Sequence, residues 1–122
     1  MKQVGTFELA ISEGTLGSLR GPKKKIPVEV LIDDENTLVV LDCTSCSELL
    51  NSRLPGGILI PIASALKAFF EERGMRNTDV RVSGNIMRRT YRGVMDAALM
   101  PSLREALVNA VSQFSKKRKS SA

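Results

Sequence analysis

The feature that most constrains the fold is a pair of β-rich runs joined by a short polar turn. Residues 26–32 read Ile-Pro-Val-Glu-Val-Leu-Ile, residues 37–43 read Thr-Leu-Val-Val-Leu-Asp-Cys, and residues 33–36 between them read Asp-Asp-Glu-Asn. This pattern is typical of an antiparallel hairpin, and pairing across the turn places Val30 opposite Val39. One face is then apolar, whereas the other mixes apolar and acidic side chains, namely Leu31, Leu38, Val40, Glu29 and Asp42. The hairpin therefore lies at the centre of the domain, or its second face meets a partner subunit.

A second hairpin is predicted further along the chain. A Gly-Asn dipeptide joins residues 79–83 to residues 86–92 and favours a two-residue turn of type I′ or II′. In that register Arg81 stands opposite Arg88, and two arginines in this position repel each other unless an anion lies between them. One face carries Arg81, Arg88, Thr90 and Arg92, and the other carries Val80, Val82, Met87 and Tyr91. A helix over residues 86–99 is the competing interpretation.

The remaining segments complete a mixed fold. Alternation over residues 3–11 indicates a strand, and residues 58–60 indicate a short apolar strand. A capping pair predicts a short helix over residues 45–53, and apolar residues at helical spacing predict helices over 61–73 and 101–114. The expected fold class is α+β, with a mainly antiparallel sheet of hairpins and two amphipathic helices packed on one face.

Length and composition limit the possible classes of protein. With 122 residues and 43% apolar side chains, the chain is expected to form a single compact α+β domain over residues 1–115, followed by a disordered basic tail at 116–122. It lacks an apolar run long enough to cross a bilayer and an apolar secretory segment at the start. We therefore expect no membrane partner and an intracellular, reducing location, cytoplasmic or nuclear. Because the chain has no His and 2 Cys, we expect no enzymatic activity, cofactor, metal ion or small-molecule substrate.

The positive charge is concentrated in three segments. The net charge is +5, but residues 20–25, 76–92 and 116–119 are each strongly basic, so the rest of the chain is net acidic. Separated charge of this kind attracts a polyanion to particular surfaces. The candidate nucleic-acid-binding residues are Arg20, Lys23, Lys24, Lys25, Arg76, Arg81, Arg88, Thr90, Arg92, Lys116, Lys117, Arg118 and Lys119.

Three functional hypotheses arise from these patterns. The first is a small non-enzymatic nucleic-acid-binding protein, associated as a homo-oligomer, whose arginines bind phosphates. The second is a self-assembling structural or adaptor subunit of a viral or cellular assembly, in which the two-sided apolar hairpin makes the subunit interface. The arginines would then pair with acidic groups of a neighbouring strand or subunit, for which Glu29 and Asp42 are candidates. The third is a redox or metal-linked regulator that acts through the Cys-x-x-Cys pair, Cys43 and Cys46.

Overall fold

The protein forms a five-stranded antiparallel sheet with two α-helices. The structure, a computed structural model, describes residues 1–11, 24–44 and 59–120, with side chains for residues 1–10, 25–44 and 59–113. The strands are β1 (Lys2–Ile11), β2 (Lys24–Ile32), β3 (Asn36–Asp42), β4 (Arg76–Ser83) and β5 (Ile86–Arg92), and the helices are α1 (Leu59–Glu71) and α2 (Met100–Ser120), which follows a 3-10 turn over Ala97–Leu99. The strand order in the sheet is β1-β2-β3-β5-β4. β3 is therefore the central strand, and β1 and β4 are the edges.

The strand registers predicted from the sequence are confirmed. Val30 pairs with Val39 between β2 and β3, and Arg81 pairs with Arg88 between β4 and β5. At the turn between β4 and β5, Gly84 has a φ of 61°, while no described residue other than glycine has a positive φ. A positive φ at the first turn position alone matches the type II′ turn.

One face of the sheet and the two helices enclose the core. Val28, Val30, Val39, Leu41 and Leu9 on the sheet form one buried cluster with side chains of both helices, including Ile62, Leu66, Phe70, Leu103 and Leu107. The rings of Phe70 on α1 and Tyr91 on β5 stack with their centroids 3.9 Å apart. The helices therefore pack on the face that carries Val30, Leu41 and Tyr91.

A hydroxyl group inside this core ties β3 to the chain that follows β5. The Thr37 Oγ1 donates to the carbonyl of Gly93 over 2.8 Å and accepts from the amide of Met95 over 2.9 Å. Thr37 is the buried polar residue of the described core, with an exposed fraction of 0%. Both backbone groups thus have a hydrogen-bond partner on a side chain that is itself fully buried.

The first helix begins earlier than the sequence predicted. Leu59 and Ile60 belong to α1, so the short strand predicted at residues 58–60 is wrong for these two residues. Pro61 fits the first turn of a helix, and an apolar run this short does not distinguish a strand from a buried helical turn. α1 ends at Glu71, and Gly74 follows with a φ of 72°.

The second helix is longer than predicted. α2 continues to Ser120, and its backbone therefore includes residues 116–119, for which the sequence predicted a disordered tail. The segment after Pro101 contains no Gly or Pro, and lysine and arginine are good helix formers that interact favourably with a helix C-terminus. The competing helix over residues 86–99 is wrong, because β5 occupies residues 86–92. The short helix predicted over residues 45–53 lies outside the described residues.

Neither α1 nor α2 combines the length and the apolar character that crossing a membrane requires, as far as the described residues go.

Candidate nucleic-acid interface

The sheet face opposite the helices carries most of the predicted site. We call it the open face, and define it by the side chains that alternate with the core residues along each strand. In β4 and β5 these are Arg76, Asp79, Arg81, Ser83, Ile86, Arg88, Thr90 and Arg92. In β2 and β3 they are Lys25, Pro27, Glu29, Leu31, Asn36, Leu38, Val40 and Asp42. Among the described helices, both pack on the other side of the sheet.

Four arginines form two facing pairs on the β4–β5 half of the open face. Arg81 pairs with Arg88, and Arg76 pairs with Arg92. A bulge between Asn77 and Asp79 makes the second pair possible, because the extra residue in β4 shifts the side-chain alternation by one position. Without this bulge Arg76 would point to the face that the helices cover. The pairing of Arg76 with Arg92 was not foreseen from the sequence, which contains no clear signal for this bulge.

Carboxylates neutralise only part of this positive charge. The Arg81 Nε lies 2.8 Å from the Asp79 Oδ2, and the Arg92 Nη1 lies 3.6 Å from the Glu35 Oε2. All four side chains are well exposed, so each pair contributes at most about 1 kcal/mol. Arg76 and Arg88 make no hydrogen bond or ion pair within the part of the chain that the structure describes. Two guanidinium groups are thus available on one face.

The acidic partners considered in the sequence analysis bind other groups. The Glu29 Oε2 accepts a hydrogen bond from Gln3 over 2.8 Å, and the Asp42 Oδ1 accepts from the amide of Thr44 over 3.0 Å. Hydrogen bonds from Thr44 hold the pKa of Asp42 below its ordinary value, so this carboxylate remains charged. Neither Glu29 nor Asp42 pairs with an arginine within the described chain.

The other predicted site residues are placed elsewhere or lie outside the described part. Lys24 and Lys25 lie in β2, and the side chain of Lys25 is exposed on the open face, two strands from the arginine pairs. Arg20 and Lys23 lie outside the described residues. The backbone of Lys116, Lys117, Arg118 and Lys119 belongs to the end of α2, on the opposite layer. The structure therefore brings together Arg76, Arg81, Arg88, Thr90 and Arg92, and does not join them to the other two segments.

Two features of the opposite sheet face bear on the site. Arg89 points toward the helices and donates through its Nε to the Tyr91 hydroxyl over 3.1 Å, so it is not one of the available arginines. The aromatic rings of Phe69, Phe70 and Tyr91 are all buried in the core. Within the described chain, the open face therefore offers guanidinium groups and hydroxyls but no aromatic ring for base stacking.

Of the cysteine pair, Cys43 lies within the described residues. Cys43 is buried directly after β3, with an exposed fraction of 1%, and Cys46 lies outside the described residues. In the three described segments, no cluster of three or more His, Cys, Asp or Glu side chains is placed to hold a metal ion.

Comparisons with protein-family models, with curated proteins and with solved structures find no match to this chain. The geometry of the open face is therefore the observation that bears on function.

Proposed function

We propose that this chain is a small non-enzymatic nucleic-acid-binding protein that grips phosphates with the β4–β5 half of its open face. The observation that supports the proposal is the double arginine pairing, Arg81 with Arg88 and Arg76 with Arg92. Like charges directly across a strand pair are unfavourable, and an anion between them removes the repulsion. Guanidinium groups donate two parallel hydrogen bonds to a phosphate, and Thr90 adds a hydroxyl between the two pairs.

The proposed mode of binding is contact with the sugar-phosphate backbone. Phosphate contacts position a protein on nucleic acid without reading its sequence, whereas single-strand binders use exposed aromatic rings as stacking surfaces. The open face offers the first kind of group and, in its described part, lacks the second. We therefore expect weak dependence on base sequence and strong dependence on salt. Residues 20–25 and 116–119 are proposed to make further contacts with the sugar-phosphate backbone. The proposed location of the protein is the cytoplasm or the nucleus.

The test is binding to labelled single- and double-stranded RNA and DNA over a series of salt concentrations. Arg76→Ala is the most informative variant, because Arg76 is exposed and makes no ion pair in the described chain. It should lower the affinity and make the slope of log affinity against log salt shallower by about one unit. Arg104→Ala, an exposed arginine on α2, is the matched control and should leave the slope unchanged. Absence of salt-dependent binding by the wild-type chain at low ionic strength would refute the proposal.

A self-assembling structural or adaptor subunit is the second candidate. It is favoured by the apolar centre of the open face, where Leu31, Leu38 and Val40 are half-buried but lie outside the core cluster. Apolar surface that a domain does not cover itself is typical of a subunit interface. Under this alternative the arginines bind a protein partner, and the nucleic-acid titration shows no effect of Arg76→Ala.

A further inference from the structure

In the row through Val40, the open face has opposite charges on the two sides of its apolar centre. Its centre is formed by half-buried side chains on β2, β3 and β5, namely Leu31, Leu38, Val40 and Ile86. Glu29 lies on the β2 side of this centre, and Arg88 lies on the β5 side. A surface of this composition is complementary to a partner that is apolar in the middle, with a positive charge opposite Glu29 and a negative charge opposite Arg88.

Glu29 and Arg88 occupy equivalent places on the two sides of β3. Both pair with Val40, so the three residues form one row across the sheet. Neighbouring strands are about 4.8 Å apart, so Glu29 and Arg88 lie at nearly the same distance from the central strand. A two-fold rotation about an axis along β3 would therefore bring Glu29 of one copy to the position that faces Arg88 of the other copy.

We infer that a second copy of this chain docks on the open face, with the two-fold axis parallel to β3. In this arrangement Leu38 and Val40 meet their counterparts, and Glu29 of each subunit faces the partner's Arg88. The other face-to-face arrangement has its two-fold axis across the strands at Val40. It would set Glu29 against Glu29 and Arg88 against Arg88, and like charges at an interface suppress the wrong partner. The charge pattern thus selects one dimer.

The size of the face sets the expected strength of the dimer. Five strands about 4.8 Å apart and seven residues at about 3.3 Å each give a face of roughly 550 Å² per subunit. Specific interfaces bury about 800 Å² per partner, so this one is at the small end. Asp42 lies on the axis at the end of β3, and it is a like-charge contact that weakens the pair. We expect association in the micromolar range, and tighter association for Asp42→Asn.

This dimer does not occupy the whole basic half of the face. β1 begins at Lys2, which pairs with Ile32, whereas the row of Arg76 and Arg92 lies one residue beyond the row of Ile32. Arg76 lies on β4, opposite the partner's β1, which therefore ends before it reaches Arg76. Arg92 lies on β5, opposite the partner's β2. The inference does not depend on the proposed function, because the dimer is formed by protein alone. In the dimer Arg81 and Arg88 face the partner subunit, and Arg76 remains available for phosphate.

The experiment is sedimentation equilibrium without nucleic acid, from about 1 to about 200 μM protein, a range that brackets weak interfaces of this size. The wild-type chain should approach twice its mass of 13.3 kDa. Glu29→Arg and Arg88→Glu should each weaken the dimer at least tenfold, because each sets two pairs of like charges face to face. Glu105→Arg and Arg104→Glu make the same charge changes on the exposed surface of α2 and should leave the dimer unchanged.

Mixing the two weakened variants gives the decisive result. In a heterodimer of Glu29→Arg with Arg88→Glu, every facing pair again has opposite charges. An equimolar mixture should therefore recover the wild-type dimer affinity, which native mass spectrometry can record as a mixed species. Circular dichroism melts check that both variants fold. A monomeric wild-type chain at the highest concentration, or two variants that fold but do not recover on mixing, would overturn the inference.

Discussion

The role of each arginine in this protein follows from what surrounds its guanidinium group. Arg73 lies 3.7 Å from the centre of the Phe69 ring and donates to the Phe69 carbonyl over 2.8 Å. Arg89 donates to the Tyr91 hydroxyl. Arg76 and Arg88 have no such partner in the described chain, although all four have the same chemistry. The candidate site is therefore centred on two guanidinium groups that have no protein partner in the described chain, and composition alone cannot show which arginines these are.

At Thr37 we predict that the hydroxyl contributes more to the free energy of unfolding than the methyl group does. Thr37→Val keeps the shape but leaves the buried Met95 amide and the Gly93 carbonyl without this partner, at a cost of about 1–3 kcal/mol of unfolding free energy. Thr37→Ser keeps both hydrogen bonds and loses one methyl group, at about 1 kcal/mol. Urea unfolding of both variants measures the difference. A valine variant that is more stable than the serine variant would show that the two hydrogen bonds of the Thr37 hydroxyl do not stabilise the core.

For Tyr91 we predict a loss of stability at high pH. Burial raises the pKa of its phenol above the ordinary value of 10.0, although the neighbouring Arg89 acts in the opposite direction. The unfolded chain therefore releases the phenolic proton first, and the free energy of unfolding falls as the pH rises past the ordinary pKa. Tyr91→Phe removes this term, so its stability should fall less between pH 9 and pH 11, in urea titrations at about these values. Equal declines in the two proteins would show that Tyr91 does not cause the effect.

At the scale of the element, local signals in the sequence predicted the strand registers but not the irregularities. Alternating apolar residues and a turn of known length determine the pairing of Val30 with Val39 and of Arg81 with Arg88. The bulge that brings Arg76 to the open face has no comparable signal, because its extra residue interrupts the alternation. The position of β5 beside β3 is also set by packing between distant segments. The site was therefore predictable for Arg81, Arg88, Thr90 and Arg92, and not for the pairing of Arg76.

The turn between β4 and β5 provides a prediction about the element that carries the arginines. Gly84 has a φ of 61°, and a Cβ there would meet no atom within 4 Å, so the constraint is purely conformational. Gly84→Ala should therefore lower the free energy of unfolding by about 1–2 kcal/mol. Asn85→Ala is the matched control, because only the backbone carbonyl of Asn85 bonds to Cys43. Thermal melts measure both, and equal melting temperatures would argue against the type II′ turn.

At the scale of the whole molecule, the strand order determines where the charged side chains lie relative to each other on the open face. The basic segments were visible as runs along the chain, but the position of Glu29 and Arg88 on opposite sides of β3 depends on the strand order. Sheet order arises from pairings across long stretches of chain, which no local pattern encodes. The open face is therefore a property of the tertiary structure, and the sequence alone does not predict which charged residues lie beside each other on it.

Dimerisation and nucleic-acid binding together predict a dependence on the length of the nucleic acid. The dimer inferred above has one basic corner on each subunit, formed around Arg76 on β4, so a long strand can engage both. A second, tethered contact raises the apparent affinity by a large factor without any new type of contact. Leu38→Asn removes an apolar contact from the dimer interface without changing the charge. The wild-type chain should bind an oligonucleotide of about 40 nucleotides at least tenfold more tightly than this variant binds it.

The matched measurement uses a short oligonucleotide that reaches only one corner. With about 8 nucleotides, the wild-type chain should bind no more tightly than Leu38→Asn. Such a strand makes only one contact with the dimer, so the second subunit adds no tethered contact, and the monomeric variant also exposes Arg81 and Arg88. Fluorescence polarisation at one salt concentration gives all four affinities, and equilibrium sedimentation confirms that the variant is monomeric. The same ratio between the two proteins at both lengths would show that the corners act independently. A weaker short-strand affinity for the variant would place Leu38 in the nucleic-acid contact itself.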